Sequence, residues 1–148
     1  MRKIRFYRLF FAAVLFLSGC AALQERRNEE EIASVLSLMN QACKFKEPDV
    51  FMSHVSTRFE GRDELKIAVE NDFAAFAGLE YSTGVLNVVE NEQTGVYTAT
   101  VLYSRQAVSF RFGDYNKNGE TLLNFVREDG SFKLLSMPSP RLYGLIAP

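Results

Sequence analysis

Near Gly78 the hydrophobic period of this chain changes from helical to alternating, and that switch limits the fold more than any other feature. Before it, Ile32, Val35, Leu36, Met39, Ala42 and Cys43 recur at three- and four-residue spacing, which predicts one buried helical face ending before Pro48. Asn28 reads as the N-cap of that helix, with Glu31 in the capping-box position. A short second helix is expected over about Asp49 to Val55. A third is expected over about Arg62 to Phe76, with Leu65, Val69, Phe73 and Phe76 inward. Beyond Gly78 the expected strands are Tyr81 to Glu90, Val96 to Ser104, Gln106 to Phe112, Thr121 to Arg127 and Phe132 to Ser136. Their turns are Asn91 to Gly95, Gly113 to Gly119 and the two-residue hairpin signal Asp129-Gly130. Helices first and a meander afterwards predict an α+β fold, with N-terminal helices packed on one face of a mainly antiparallel sheet.

The first 20 residues carry a different message. Arg2, Lys3, Arg5 and Arg8 precede a nine-residue apolar run from Leu9 to Leu17, and Leu17-Ser18-Gly19-Cys20 closes the segment. A spanning helix needs about 20 apolar residues, so this run is too short to be one. The ending resembles the lipobox of bacterial lipoproteins. That resemblance implies that residues 1–19 are a signal peptide, that Cys20 is lipidated and that residues 20–27 form a tether to the membrane. Ala21 after the cysteine points to the periplasmic face of the outer membrane where the host is Gram-negative. The 148-residue chain holds 17 basic and 18 acidic residues; the first 19 residues hold four basic and no acidic ones, so the remainder has a net charge of −5. Nucleic acid is therefore not an expected partner, because its phosphates are bound by clustered Lys and Arg. With Cys20 acylated, Cys43 has no partner for a disulfide.

Residues 28–137 resemble the nuclear transport factor 2-like superfamily, whose three N-terminal helices cap a strongly curved sheet to make a cone. The likeness lies in helix one followed by Phe45-Lys46-Glu47-Pro48-Asp49, Phe51-Met52-Ser53 leading to Val55-Ser56-Thr57-Arg58-Phe59, and a third helix ending in paired aromatics. The late hairpin from Leu122 to Leu135 is similar to the closing hairpin of that superfamily. The cystatin-like arrangement shares the same order of layers. Residues 138–148 form a tail whose Leu142, Tyr143, Leu145 and Ile146 are too apolar to stay in water. Members of the superfamily often pair through the sheet face, which implies a homodimer unless the tail folds back over that face.

Catalytic members place an Asp, Tyr or His inside the apolar cone. Here Val55 to Phe59 carries no carboxylate, and the last strand offers Lys133 and Ser136, so the isomerase pattern is missing. His54 reads as a structural residue, Cys43 as a small core residue, and Asp114 to Gly119 as a polar turn whose twelfth position, Phe125, cannot serve as a calcium ligand. No cofactor is expected, since no phosphate-binding glycine loop, paired-cysteine zinc motif or nucleophile elbow occurs. Tyr97, Ala99, Val101 and Tyr103 share one strand face, and Val108, Phe110 and Phe112 another. The candidate ligand-contacting residues are Phe59, Phe73, Phe76, Tyr97, Tyr103, Phe110 and Asn124. The expectation is a lipid-anchored envelope protein that binds a small apolar molecule or an envelope partner. An isomerase, dehydratase or cyclase of the cone fold, and an assembly lipoprotein with a filled cone, are the alternatives.

Overall fold

The computed structural model describes residues 3–111, 113–138 and 141–146, with side chains from residue 23 onward. Helix α1 spans Lys3–Phe45, α2 Pro48–Ser53 and α3 Arg62–Ala75; strands β1 Phe76–Asn91, β2 Val96–Ser109, β3 Lys117–Glu128 and β4 Ser131–Ser136 follow. The four strands lie in sequence order, each antiparallel to the next, in a curled half-barrel that the helices cover on one side. This is the α+β architecture that the change of period at Gly78 predicts.

The apolar stripe of α1 is buried as expected, from Ile32 through Cys43. The helix ends where Lys46 turns left-handed at φ 57°, with the amides of Lys46 and Glu47 donating to the carbonyls of Cys43 and Ala42. Its start differs from expectation. Asn28 lies inside a continuous helix, and its buried Oδ1 accepts from Gln24 Nε2 and Arg127 Nη2. The residues before Asn28, Glu25 to Arg27, are themselves compatible with helix, so an N-cap signal there does not stop it.

The third helix ends one residue earlier than expected, and Phe76 opens β1. Two expected strands, Val96 to Ser104 and Gln106 to Phe112, are one: β2 runs unbroken to Ser109. The alternation therefore continues through Arg105 and Ala107, which face inward, and leaves Val108 and Phe110 exposed. Phe112 lies outside the described residues. The Asp129-Gly130 turn has φ of 52° and 79°, the conformation that a two-residue hairpin requires. On the far edge, the chain leaving α2 pairs with β4 through a parallel bridge between Val55 and Leu134.

The described residues of the tail do not cover the outer face of the sheet. Leu142 and Tyr143 are inserted into the core, where the Tyr143 ring meets Phe51 edge-on at 5.1 Å and Tyr81 at 5.1 Å.

Candidate functional site

The inward row of β2 is Ala99, Val101, Tyr103, Arg105 and Ala107, all buried. The Tyr103 ring lies against the backbone of Gly119, its register partner on β3, so closely that a Cβ there would sit 3.0 Å from the hydroxyl oxygen. Beyond Tyr103 the wall of the cone opens into a cleft of about 600 Å3. Phe76, Tyr103 and Tyr115 give it aromatic lining and Leu145 and Ile146 aliphatic lining, while Arg105, Lys117 and Arg141 bring charge to it. Tyr115 meets Phe76 edge-on at 5.5 Å, and its carbonyl accepts the Arg105 Nε hydrogen at 3.4 Å.

The segment from Arg141 to Ile146 is a strap over one side of this cleft, and α3 holds it. Asp72 is 2% exposed, and its two carboxylate oxygens accept the amide hydrogens of Leu145 at 2.8 Å and Ile146 at 2.9 Å. Burial raises the pKa of this carboxyl, with the strap amides and the Arg105 charge pulling it back down. The Tyr143 hydroxyl donates to Asn40 Oδ1 at 2.7 Å, and Asn40 Nδ2 donates to Thr83 Oγ1 at 3.0 Å. Burial pushes up the pKa of the Tyr143 and Tyr81 hydroxyls and of the Cys43 thiol, which keeps all three neutral. Cys43 is accordingly a small apolar residue of the core.

Of the residues singled out in the sequence, the fold brings Phe76 and Tyr103 together at the cleft. Phe73 is buried in the core, and Phe59 packs against it from the side. Tyr97 lies apart from the cleft, its hydroxyl donating to Glu90 at 2.7 Å and its ring edge-on to Phe132 at 4.8 Å. Phe110 is 68% exposed, with the Lys46 ammonium 5.7 Å from its ring centre. Asn124 pairs with outward-facing Thr98: it accepts from the Thr98 hydroxyl and donates to Ser136, both at 2.8 Å. Cys20 lies outside the residues whose side chains are described. His54 is half-buried beside Lys133, and burial, then that ammonium, lowers its pKa. Among the described residues no three His, Cys, Asp or Glu side chains converge as a metal site.

Arg105 and Asp72 are the site residues that the sequence reading passes over, and both had a signal. Arg105 continues the odd-numbered phase from Tyr97 to Tyr103. Asp72 stands three residues after Val69 and seven after Leu65, on the apolar stripe of α3.

No family model and no curated protein sequence matches the chain. Its fold is similar to that of solved structures. A conserved protein from Planctomyces limnophilus superposes with a TM-score of 0.65 at 16% identity, over 74% of this chain and 92% of that one. A proposed scytalone dehydratase from Novosphingobium aromaticivorans gives 0.62 at 14% identity, over 72% and 78%. A proposed dehydratase of the NTF2-like family from Streptomyces avermitilis gives 0.56 at 11% identity, over 72% and 91%. At these identities the likeness is one of fold. Three helices followed by a curled antiparallel meander give this chain the same kind of fold as these structures, among them one of the NTF2-like family.

Proposed function

We propose that this chain is a lipid-anchored envelope protein whose cone binds a small, largely apolar molecule without transforming it. The observation that carries the reading is the cleft of about 600 Å3 beside Tyr103, which remains although Leu142 and Tyr143 fill the neighbouring interior. A cone packed solid would favour an assembly role instead. Binding without chemistry fits the groups present: Asp72 has both oxygens engaged by the strap, and His54 is not among the residues lining the cleft. The lipid anchor rests on the order of charge, apolar run and Leu-Ser-Gly-Cys in residues 1–20.

A second reading, an enzyme of the isomerase, dehydratase or cyclase type, draws on the proposed dehydratases of similar fold. Asp72, with its raised pKa, is the group it would use as a base, and the strap would have to leave it first.

Two measurements test the proposal. Mass spectrometry of the membrane-extracted chain is expected to find residues 1–19 removed and lipid on Cys20; an unmodified Cys20 would sink the anchor. Titration of the full chain in detergent with 2-naphthamide, with detergent alone as blank, is expected to shift the amide resonances of Tyr103, Leu145 and Ile146. No shift up to about 1 mM, the weak end of specific binding, with either this amide or its carboxylate analogue 2-naphthoate overturns the binding reading.

A further inference from the structure

We infer that the molecule taken by this cleft is an organic carboxylate on an aromatic or alicyclic body, anchored by the Arg105 guanidinium. The inference rests on the reading of the cleft as a binding site and adds the chemical class of its ligand. Arg105 is 9% exposed. An arginine so deeply placed normally has a carboxylate partner or several carbonyls, because an uncompensated buried charge is costly. Here the described residues offer one hydrogen bond, from Nε to the Tyr115 carbonyl, and none to the terminal nitrogens. Asp72 is near enough to feel the Arg105 charge, yet it forms no ion pair with it, and its oxygens face the strap amides. Arg105 itself lines the cleft.

Two more cations stand on the same cleft. Lys117 and Arg141 are exposed there, and among the described residues neither forms an ion pair. Elsewhere among the described residues Arg27, Lys44, Arg58, Lys66 and Arg127 are each paired with a carboxylate, while Arg26, Lys46, Arg62, Arg111 and Lys133 stand singly and away from the cleft lining. In a chain with more acidic than basic residues, three cations outside any ion pair among the described residues share this one concavity, which draws anions towards it. The planar fork of arginine matches the two oxygens of a carboxylate. Phe76, Tyr103, Tyr115, Leu145 and Ile146 give the cleft an apolar, partly aromatic lining for the body of such a molecule. A volume of about 600 Å3 lies within the usual range for small-molecule sites.

The test compares 2-naphthoate with its neutral isostere 2-naphthamide on the full chain in detergent, by calorimetry and by the amide resonances of Tyr103 and Leu145. The carboxylate is expected to bind about tenfold more tightly or better, the effect of one charge-assisted hydrogen-bonded pair. Arg105→Gln should bring the two affinities together while leaving that of the amide in place. Lys117→Gln with Arg141→Gln should narrow the preference by a smaller factor, and raising the salt should weaken the carboxylate alone. If Arg105→Gln does not fold, the double variant and the salt series decide, and a preference that responds to neither overturns the inference. Equal binding of the two probes overturns the anionic class and leaves the binding reading standing; binding of neither overturns both.

Discussion

At the scale of single residues, the polar side chains show best how position outweighs residue type. His54 is the clearest case for titration. Burial and the Lys133 ammonium hold its pKa below the ordinary 6.5, so the unfolded chain takes up a proton more readily than the folded one. The contribution of His54 is therefore fully present above that value and is lost as pH falls through it towards the lower folded value. We expect urea midpoints to drop between about pH 7 and pH 5, and His54→Gln to flatten part of that slope; an unchanged slope in the variant would show that the imidazole is not responsible. Asn28 and Asn124 make the complementary point. Each is the kind of residue that reads as a helix cap or a ligand-orienting amide, yet Asn28 is held by Gln24 and Arg127, and Asn124 by Thr98 and Ser136. In both cases the partner that decides the role comes from a segment remote in sequence.

At the scale of elements, β2 and the strap carry the lesson. Reading a break at Arg105 divides β2 in two and inverts the phase beyond it, which sends Val108 and Phe110 inward and hides Arg105 from view. The pleat has a period of two, so one misplaced break moves every later side chain to the other face. The strap has no regular pattern at all, and its place is set by Asp72 on α3 and by Tyr143 in the core. Because Tyr143 is only 1% exposed, Tyr143→Ala is expected to cost about 3–5 kcal/mol by urea unfolding, the range for deleting a buried aromatic side chain. Tyr143→Phe should cost about 1 kcal/mol through the lost hydrogen bond to Asn40. A loss below about 1 kcal/mol for the alanine variant would mean that the strap is not part of the folded core.

At the scale of the whole molecule, the outer face of the sheet is left uncovered among the described residues. With the strap turned inward, Leu102 and Leu122 stand diagonally across β2 and β3 at 46% and 47% exposure, and Leu86 lies at 53% on the β1 bulge. Thr98, Thr100 and Asn124 surround them, and Glu120, the register partner of Leu102, adds one exposed carboxylate to an otherwise weakly polar face. Such a patch is relieved by burial against a complementary surface, and a second copy supplies one by symmetry. Sedimentation of the full chain in detergent is expected to show a dimer, and Leu102→Glu with Leu122→Glu a monomer. A wild-type chain that stays monomeric at high concentration would remove this role for the sheet face.

By itself the sequence determined the order of helices before strands, the buried stripe of α1, and the Asp129-Gly130 hairpin. These are written in residues a few positions apart, where hydrophobic period and turn chemistry act directly on the backbone. Only the tertiary structure decided that Leu142 and Tyr143 enter the core, that Asp72 holds the amides of Leu145 and Ile146, and that Arg105 meets Lys117 and Arg141 at one cleft. Asp72 and Leu145 are 73 residues apart, and no local periodicity records a contact of that span. Register, sheet curl and the free volume left after packing join such residues, and those are properties of the assembled layers.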